Sequence, residues 1–181
     1  MASSLESARA SFIELWGRMG PFWGVSPTTA RVYGLLLSLP DGATAQRIAD
    51  ELRMSRGAVS MAARELRDWG LALGVRRAGS RQILYRAETD LEKAIRNIVQ
   101  TRKRREWDPI LEHLREWIGE LEAERSQEAR VFRDRMRSIE ALVAMADSMA
   151  ESFLKGGMVQ KLGLKALVKA AHRKSKRSVK S

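Results

Sequence analysis

Apolar residues in the first part of the chain recur at helical spacing. Leu5, Ala8, Phe12, Ile13, Leu15 and Trp16 predict a helix over residues 4–19, broken by Gly20-Pro21-Phe22-Trp23-Gly24. Ser26 followed by Pro27 reads as an N-cap and a first helical residue, where the missing proline N–H costs nothing. That second helix runs to about Leu39, and Pro40-Asp41-Gly42 makes a turn. Thr44 then caps a short helix over AQRIADELR, with Ile48, Ala49 and Leu52 facing inward. Ser55 caps the next, RGAVSMAARELRDW, which stops at Gly70. The few residues between these two helices allow only a tight corner.

Beyond Gly70 the pattern changes. LALGVRR and RQILYRA contain the strand formers Val75, Ile83 and Tyr85 and are separated by Ala78-Gly79-Ser80, which predicts a β-hairpin. Thr89-Asp90-Leu91-Glu92 fits an S/T-x-x-E capping box, and residues 91–155 are helical in pattern. Asp108-Pro109 restarts or kinks that stretch. Trp107, Ile110, Leu114, Trp117 and Leu121 recur at three- and four-residue steps, as do Phe132, Met136, Ile139, Val143, Ala146, Ala150 and Phe153. Such seams belong to helices packed along one another, in a bundle or across a dimer. Gly156-Gly157 closes the section, and a short basic amphipathic helix with a flexible tail is expected over 156–181.

Charge sharpens this outline. The 181 residues carry a net charge of +11, but nine basic residues and no acids fall between Lys155 and Ser181, leaving only +2 for the rest. Within that near-neutral body, residues 53–86 hold eight arginines against Glu65 and Asp68, a local +6. Both concentrations point to a polyanion, the tail nonspecifically. The chain has no cysteine and only two histidines, His113 and His172, so thiol chemistry and thiolate metal sites are excluded and no cofactor is implied. No Walker loop, G-x-S-x-G elbow or H-E-x-x-H helix is present, and an enzyme is not expected. His113 with Glu116 could hold a metal in principle, but a lone pair of that kind is usually incidental. Neither a signal peptide nor a membrane-spanning run is recognisable, so a soluble cytoplasmic protein is expected.

Helix, helix, short helix, tight turn, helix, hairpin is the order of a winged helix-turn-helix. The expected fold is mainly α: a winged helix-turn-helix domain (three-helix core plus β-hairpin wing) over 1–88, and a C-terminal helical dimerisation region over 89–155. A helix fits the DNA major groove and presents side chains to base edges there. Val59, Ala62, Ala63 and Leu66 form the inward stripe of helix 56–69, while Arg56, Ser60, Arg64 and Arg67 face outward. Gly57 and Ser60 are small enough to let the helix backbone approach a duplex. Arg56 and Arg64 are the candidates for reading guanine, Ser55 for the cap and a phosphate, and Arg76, Arg77 and Arg81 for the wing on the backbone or minor groove.

These residues carry a family resemblance. Thr44–Arg86 resembles the winged helix-turn-helix of MarR-type regulators. The phrase MSRGAVSMAARELRDWGL, the GSR wing, Tyr85-Arg86 and the preceding FIELWGRMGPFWGVSPTTARVYGLLLSLP look most like the GbsR branch, over about residues 10–88. The resemblance implies a homodimeric transcriptional regulator, expected to repress through a palindromic operator in double-stranded DNA, with the first and the C-terminal helices building the dimer. One branch of that family responds to choline, which makes Trp16, Trp23 and Trp107 candidates for a cage around a small-molecule effector with a quaternary ammonium. The alternative is a nonspecific DNA-coating protein using the same winged helix and the basic tail.

Overall fold

A computed structural model of the chain describes residues 3–76, 79 and 82–156. They fall into two compact units, Met1–Ile98 and Val99–Ser181. The expected basic segment 156–181 lies outside the described residues except for Gly156.

The first unit begins with α1 (Ser4–Trp23), started by a capping box: the Glu6 N–H donates to Ser3 Oγ at 3.2 Å and the Ser3 N–H to Glu6 Oε2 at 2.8 Å. The break expected at Gly20-Pro21 does not occur. Gly20 is buried against α2 (Pro27–Leu37), where an added Cβ would sit 2.6 Å from that of Ala30. Its lack of a side chain serves close helix packing. Pro21 forfeits only one hydrogen bond this near the end, and the helix stops at Gly24 in the left-handed conformation, φ 84°. Ser26, Thr44 and Ser55 cap as the sequence predicts, each accepting the N–H three residues on. They start α2, α3 (Ala45–Leu52) and α4 (Arg56–Asp68). Between α3 and α4, Arg53 adopts a left-handed conformation, φ 52°.

The predicted hairpin is present as β2 (Ala72–Arg76) and β3 (Ile83–Ala87), pairing antiparallel from Ala72 opposite Ala87 to Arg76 opposite Ile83. A third strand, β1 (Ala43–Thr44), pairs with Tyr85 and Leu84 on the other edge of β3. Two residues have no periodicity to detect, which is why β1 escapes the sequence pattern. The core joins Val32, Leu35 and Leu36 of α2 to Ile48 of α3 and Val59 and Leu66 of α4, closed by Trp69 and Leu71. One polar chain crosses it. Ser26 Oγ donates to Thr29 Oγ1 at 2.9 Å, and the buried Thr29 hydroxyl donates to Glu65 Oε2 on α4.

Tyr33 is a buried titratable group of this core. Its hydroxyl donates to the Glu88 carbonyl at 2.9 Å, and burial, reinforced by the Glu88 charge, pushes its pKa up to about 12. A raised folded-state value means that the stabilisation is complete below pH 10 and lost as pH climbs toward 12. We predict a loss of about 2–3 kcal/mol across that window. It should be absent in Tyr33→Phe when urea unfolding is followed against pH; superimposable profiles would refute it.

A helix α5 (Leu91–Arg102) leads out of the first unit, but its cap differs from expectation. Asp90 Oδ1 accepts the Lys93 N–H at 3.2 Å, so the start lies one residue beyond Thr89, and Glu92 pairs with Arg96 at 3.4 Å instead of closing a capping box. On this helix Asn97 Nδ2 donates to the Gly70 carbonyl at 2.8 Å, bracing the end of α4.

In the second unit a π-helical turn, Lys103–Trp107, runs without a break into α6 (Asp108–Glu120), which is followed by α7 (Gln127–Leu154). Asp108 makes no capping bond. Its carboxylate lies 2.7 Å from Lys103 Nζ, which also holds Asp147 at 2.7 Å, and these two hydrogen bonds raise the lysine pKa. The residues buried between α6 and α7 include Leu114, Ile118 and Met136, packed against Leu121. The seams therefore split: Leu114, Met136 and Ala150 are buried, whereas Ile110, Trp117, Phe132 and Ile139 are exposed.

Candidate nucleic-acid interface

Two stripes on α4 divide its work. Val59, Ala62, Ala63 and Leu66 are buried and fix the helix to the core, as the spacing predicts. On the other side Arg56, Gly57, Ser60, Met61, Arg64 and Arg67 are all exposed. Ser55 precedes them with its Oγ committed to the Ala58 N–H at 3.1 Å, so it serves the cap first. Gly57, Ser60, Met61 and Arg64 follow i, i+3, i+4, i+7 spacing and share one ridge. A Cβ at Gly57 would meet only Ser55 Oγ, at 3.9 Å, so the space that glycine leaves is on the outside.

The arginines of the patch are not equivalent. Among the described residues, Arg56 and Arg64 make no hydrogen bond or ion pair, and their guanidinium groups keep all their donors for an external partner. Arg56 also lines an open cleft of about 660 Å³ with Thr44, Gln46, Gln82 and Tyr85, between the start of α3 and the base of the wing. Arg67 lies apart from the ridge, its Cδ 3.6 Å from where a Cβ on Gly74 of β2 would stand. Arg86 is held down, Nε donating to the Asp41 carbonyl at 3.2 Å. Arg76 is exposed at the end of β2, and the wing-tip candidates Arg77 and Arg81 lie outside the described residues. Glu65 turns inward to Thr29, withdrawing one of the two acids from the outward face. Sequence reasoning passed over Met61, Gln46 and Gln82, because it followed arginines and small residues alone. The signal for Met61 was its place four residues after Gly57.

Of the three tryptophans considered for a ligand cage, two are neighbours. Trp16 lies 5.7 Å from Trp23 and 6.2 Å from Tyr33, ring centre to ring centre. The space they border with Met19 and Leu71 is about 10 Å³, room for a single water at most. Trp107 belongs to the second unit. His113 stacks on Trp117 with ring centres 5.6 Å apart, its Nδ1 3.6 Å from Glu116. Among the described residues no group of three His, Asp or Glu side chains is placed to hold a metal, and no helix is long and apolar enough to cross a membrane.

No protein-family model and no curated protein matches the chain. Solved structures do. A crystal structure of a transcriptional regulator superposes with a TM-score of 0.63 at 20% identity, over 82% of this chain and 96% of that one. A MarR transcriptional regulator from Methanosarcina mazei Go1 gives a TM-score of 0.36 at 16% identity, over 79% of this chain and 94% of that one, too low to add weight. At 20% identity the first likeness establishes architecture. The chain has a mainly helical winged helix-turn-helix fold, shared with a transcriptional regulator of known structure.

Proposed function

We propose that this protein is a sequence-specific, DNA-binding transcriptional regulator of the MarR type, close to the GbsR branch. In this reading α4 enters the major groove, and the hairpin wing rests on the backbone or in the minor groove. The observation that carries it is the α4 ridge: free Arg64, with free Arg56 at the start of the helix, shares an exposed surface with the small residues Gly57 and Ser60, on a helix followed by the β2–β3 hairpin. Free guanidinium groups at a helix surface match guanine O6 and N7 in a way that aliphatic or acidic faces do not.

The working form in this proposal is a homodimer acting as a repressor. On α1, Leu5, Ala8, Phe12, Leu15, Met19 and Phe22 repeat at three- and four-residue steps on the side away from Ile13 and Gly17; Leu5, Leu15 and Phe22 are exposed, whereas Phe12 and Met19 are half-buried. On α7, Ile139, Leu142, Met145 and Met149 form a second exposed stripe. Apolar surface on this scale marks contact with another protein surface, and a second copy fits the family resemblance. An effector held by Trp16 and Trp23 belongs to the same proposal; admitting a quaternary ammonium requires that pair to part.

Footprinting on DNA upstream of the protein's own coding sequence tests the reading. A discrete, roughly palindromic site is expected, with half-sites about 34–36 Å apart. Uniform protection at near-physiological salt would support the coating protein instead. Removing residues 156–181, which with Lys155 carry the lysine-rich charge, should flatten the dependence of affinity on salt while the footprint persists. Disappearance of the footprint on that deletion would overturn this division between tail and ridge.

A further inference from the structure

Met61 does not behave like the rest of the α4 surface. It is 71% exposed, and from Val25 to Ala72 no other large hydrophobic side chain is exposed. Every other exposed position on the ridge is glycine, serine or arginine. A methionine that packed against the protein would be buried, as Val59 and Leu66 are. A solvated surface position would more readily hold a polar residue. Met61 stands one residue from Ser60 and three from Arg64, with Gly57 one turn before it, so whatever approaches Arg64 meets its thioether end.

The DNA major groove carries one apolar group at its base edges, the thymine C5-methyl. Methionine is unbranched, polarizable and long enough to follow that methyl through small changes of helix position. Because Gly57 leaves the outer side of the helix open, the α4 backbone can come close enough for the side chain to reach the groove floor. We infer that Met61 is a specificity-determining residue that selects a thymine beside the base pair contacted by Arg64. This inference rests on the DNA-binding reading above. It adds an apolar component to a face that otherwise distinguishes bases by hydrogen bonds.

Deoxyuridine pairs with adenine as thymine does and lacks only the methyl, so it isolates the contact. Each thymine inside the footprinted site is replaced in turn by deoxyuridine, and affinity is measured for the wild type, Met61→Ala and Arg64→Ala. At one thymine per half-site the wild type should lose roughly fourfold, the factor for withdrawing one methyl-sized group from burial. Met61→Ala should bind the thymine and deoxyuridine duplexes equally, at the level of wild type on deoxyuridine. Met61→Leu, which keeps an apolar side chain, should retain a preference for thymine. Urea unfolding of the variants should match wild type, since residue 61 is largely exposed. A wild type indifferent to deoxyuridine everywhere, on a site that still depends on Arg64, would overturn this inference and leave the regulator standing. A methyl dependence that persists in Met61→Ala would overturn it too, by assigning the contact elsewhere. Absence of any discrete site would remove the regulator reading and this inference together.

Discussion

Arg64→Ala is expected to weaken binding to the footprinted site by about 1–3 kcal/mol, roughly fivefold to 150-fold, with little change on random duplex at the same salt. The asymmetry follows from placement. Arg64 is exposed on the ridge of α4, has no partner among the described residues, and is separated from the core by the full width of the helix. Truncation removes no packing and breaks no internal ion pair, so urea unfolding should not shift by more than about half a kcal/mol. A guanidinium fork that bridges two acceptors of one base contributes discrimination, whereas a phosphate contact contributes affinity to every sequence alike. Arg64→Lys separates the two cases, because it keeps the charge and loses the fork. We expect it to resemble alanine on the specific site and wild type on random DNA. Equal losses on both duplexes would reassign Arg64 to the backbone and leave base reading without its central residue.

The largest effect on stability is expected at Leu66→Ala. Leu66 is fully buried on the inner stripe of α4, in the core shared by α2, α3 and α4. Removing its branched end should cost about 2–5 kcal/mol, combining lost transfer free energy with the cavity left behind. For the first unit that is a large fraction of a typical domain's stability of about 5–15 kcal/mol. The midpoint in urea should fall while the slope of the transition stays constant. DNA affinity should decline only as far as the folded fraction does. A shift below 1 kcal/mol would mean that neighbouring side chains collapse into the space, and would contradict the tight packing around α4.

The parts of the fold that were legible in the sequence are those decided by near neighbours. Ser26, Thr44 and Ser55 each satisfy an N–H three residues ahead, a bond that needs nothing from the rest of the chain. The inner stripe of α4 was legible for the same reason, since its period is set by one helix. The misreadings share a different cause. Gly20 resembles a helix breaker until Ala30 is seen pressing against it. The Thr89–Glu92 box competes with Asp90, whose short carboxylate reaches the Lys93 N–H and wins by one residue. Asp108 is drawn off by a lysine one helical turn earlier. In α6 and α7 there are more apolar positions than one packing partner can bury, and spacing alone does not say which ones face inward. On the candidate interface, the outward set of arginines was legible from α4 alone. The inequivalence of the arginines across α4 and the hairpin was not, because Arg67 of α4 and Arg86 of β3 are distinguished only by their closeness to Gly74 and Asp41.

The bond from Thr29 to Glu65 has a consequence for how such a protein diverges. It anchors α4 through its inner side, together with Val59, Ala62, Ala63 and Leu66, so the helix keeps its seat whatever occupies Gly57, Ser60, Met61 and Arg64. Those four positions carry little of the fold's stability and are free to drift. Under the proposed DNA-binding function, a duplicated copy could acquire a new set of target genes by substitutions on that ridge alone, without passing through an unfolded intermediate. The same separation makes the ridge a natural cassette for a combinatorial library: vary the outer four, hold the inner five, and select on the operator of choice.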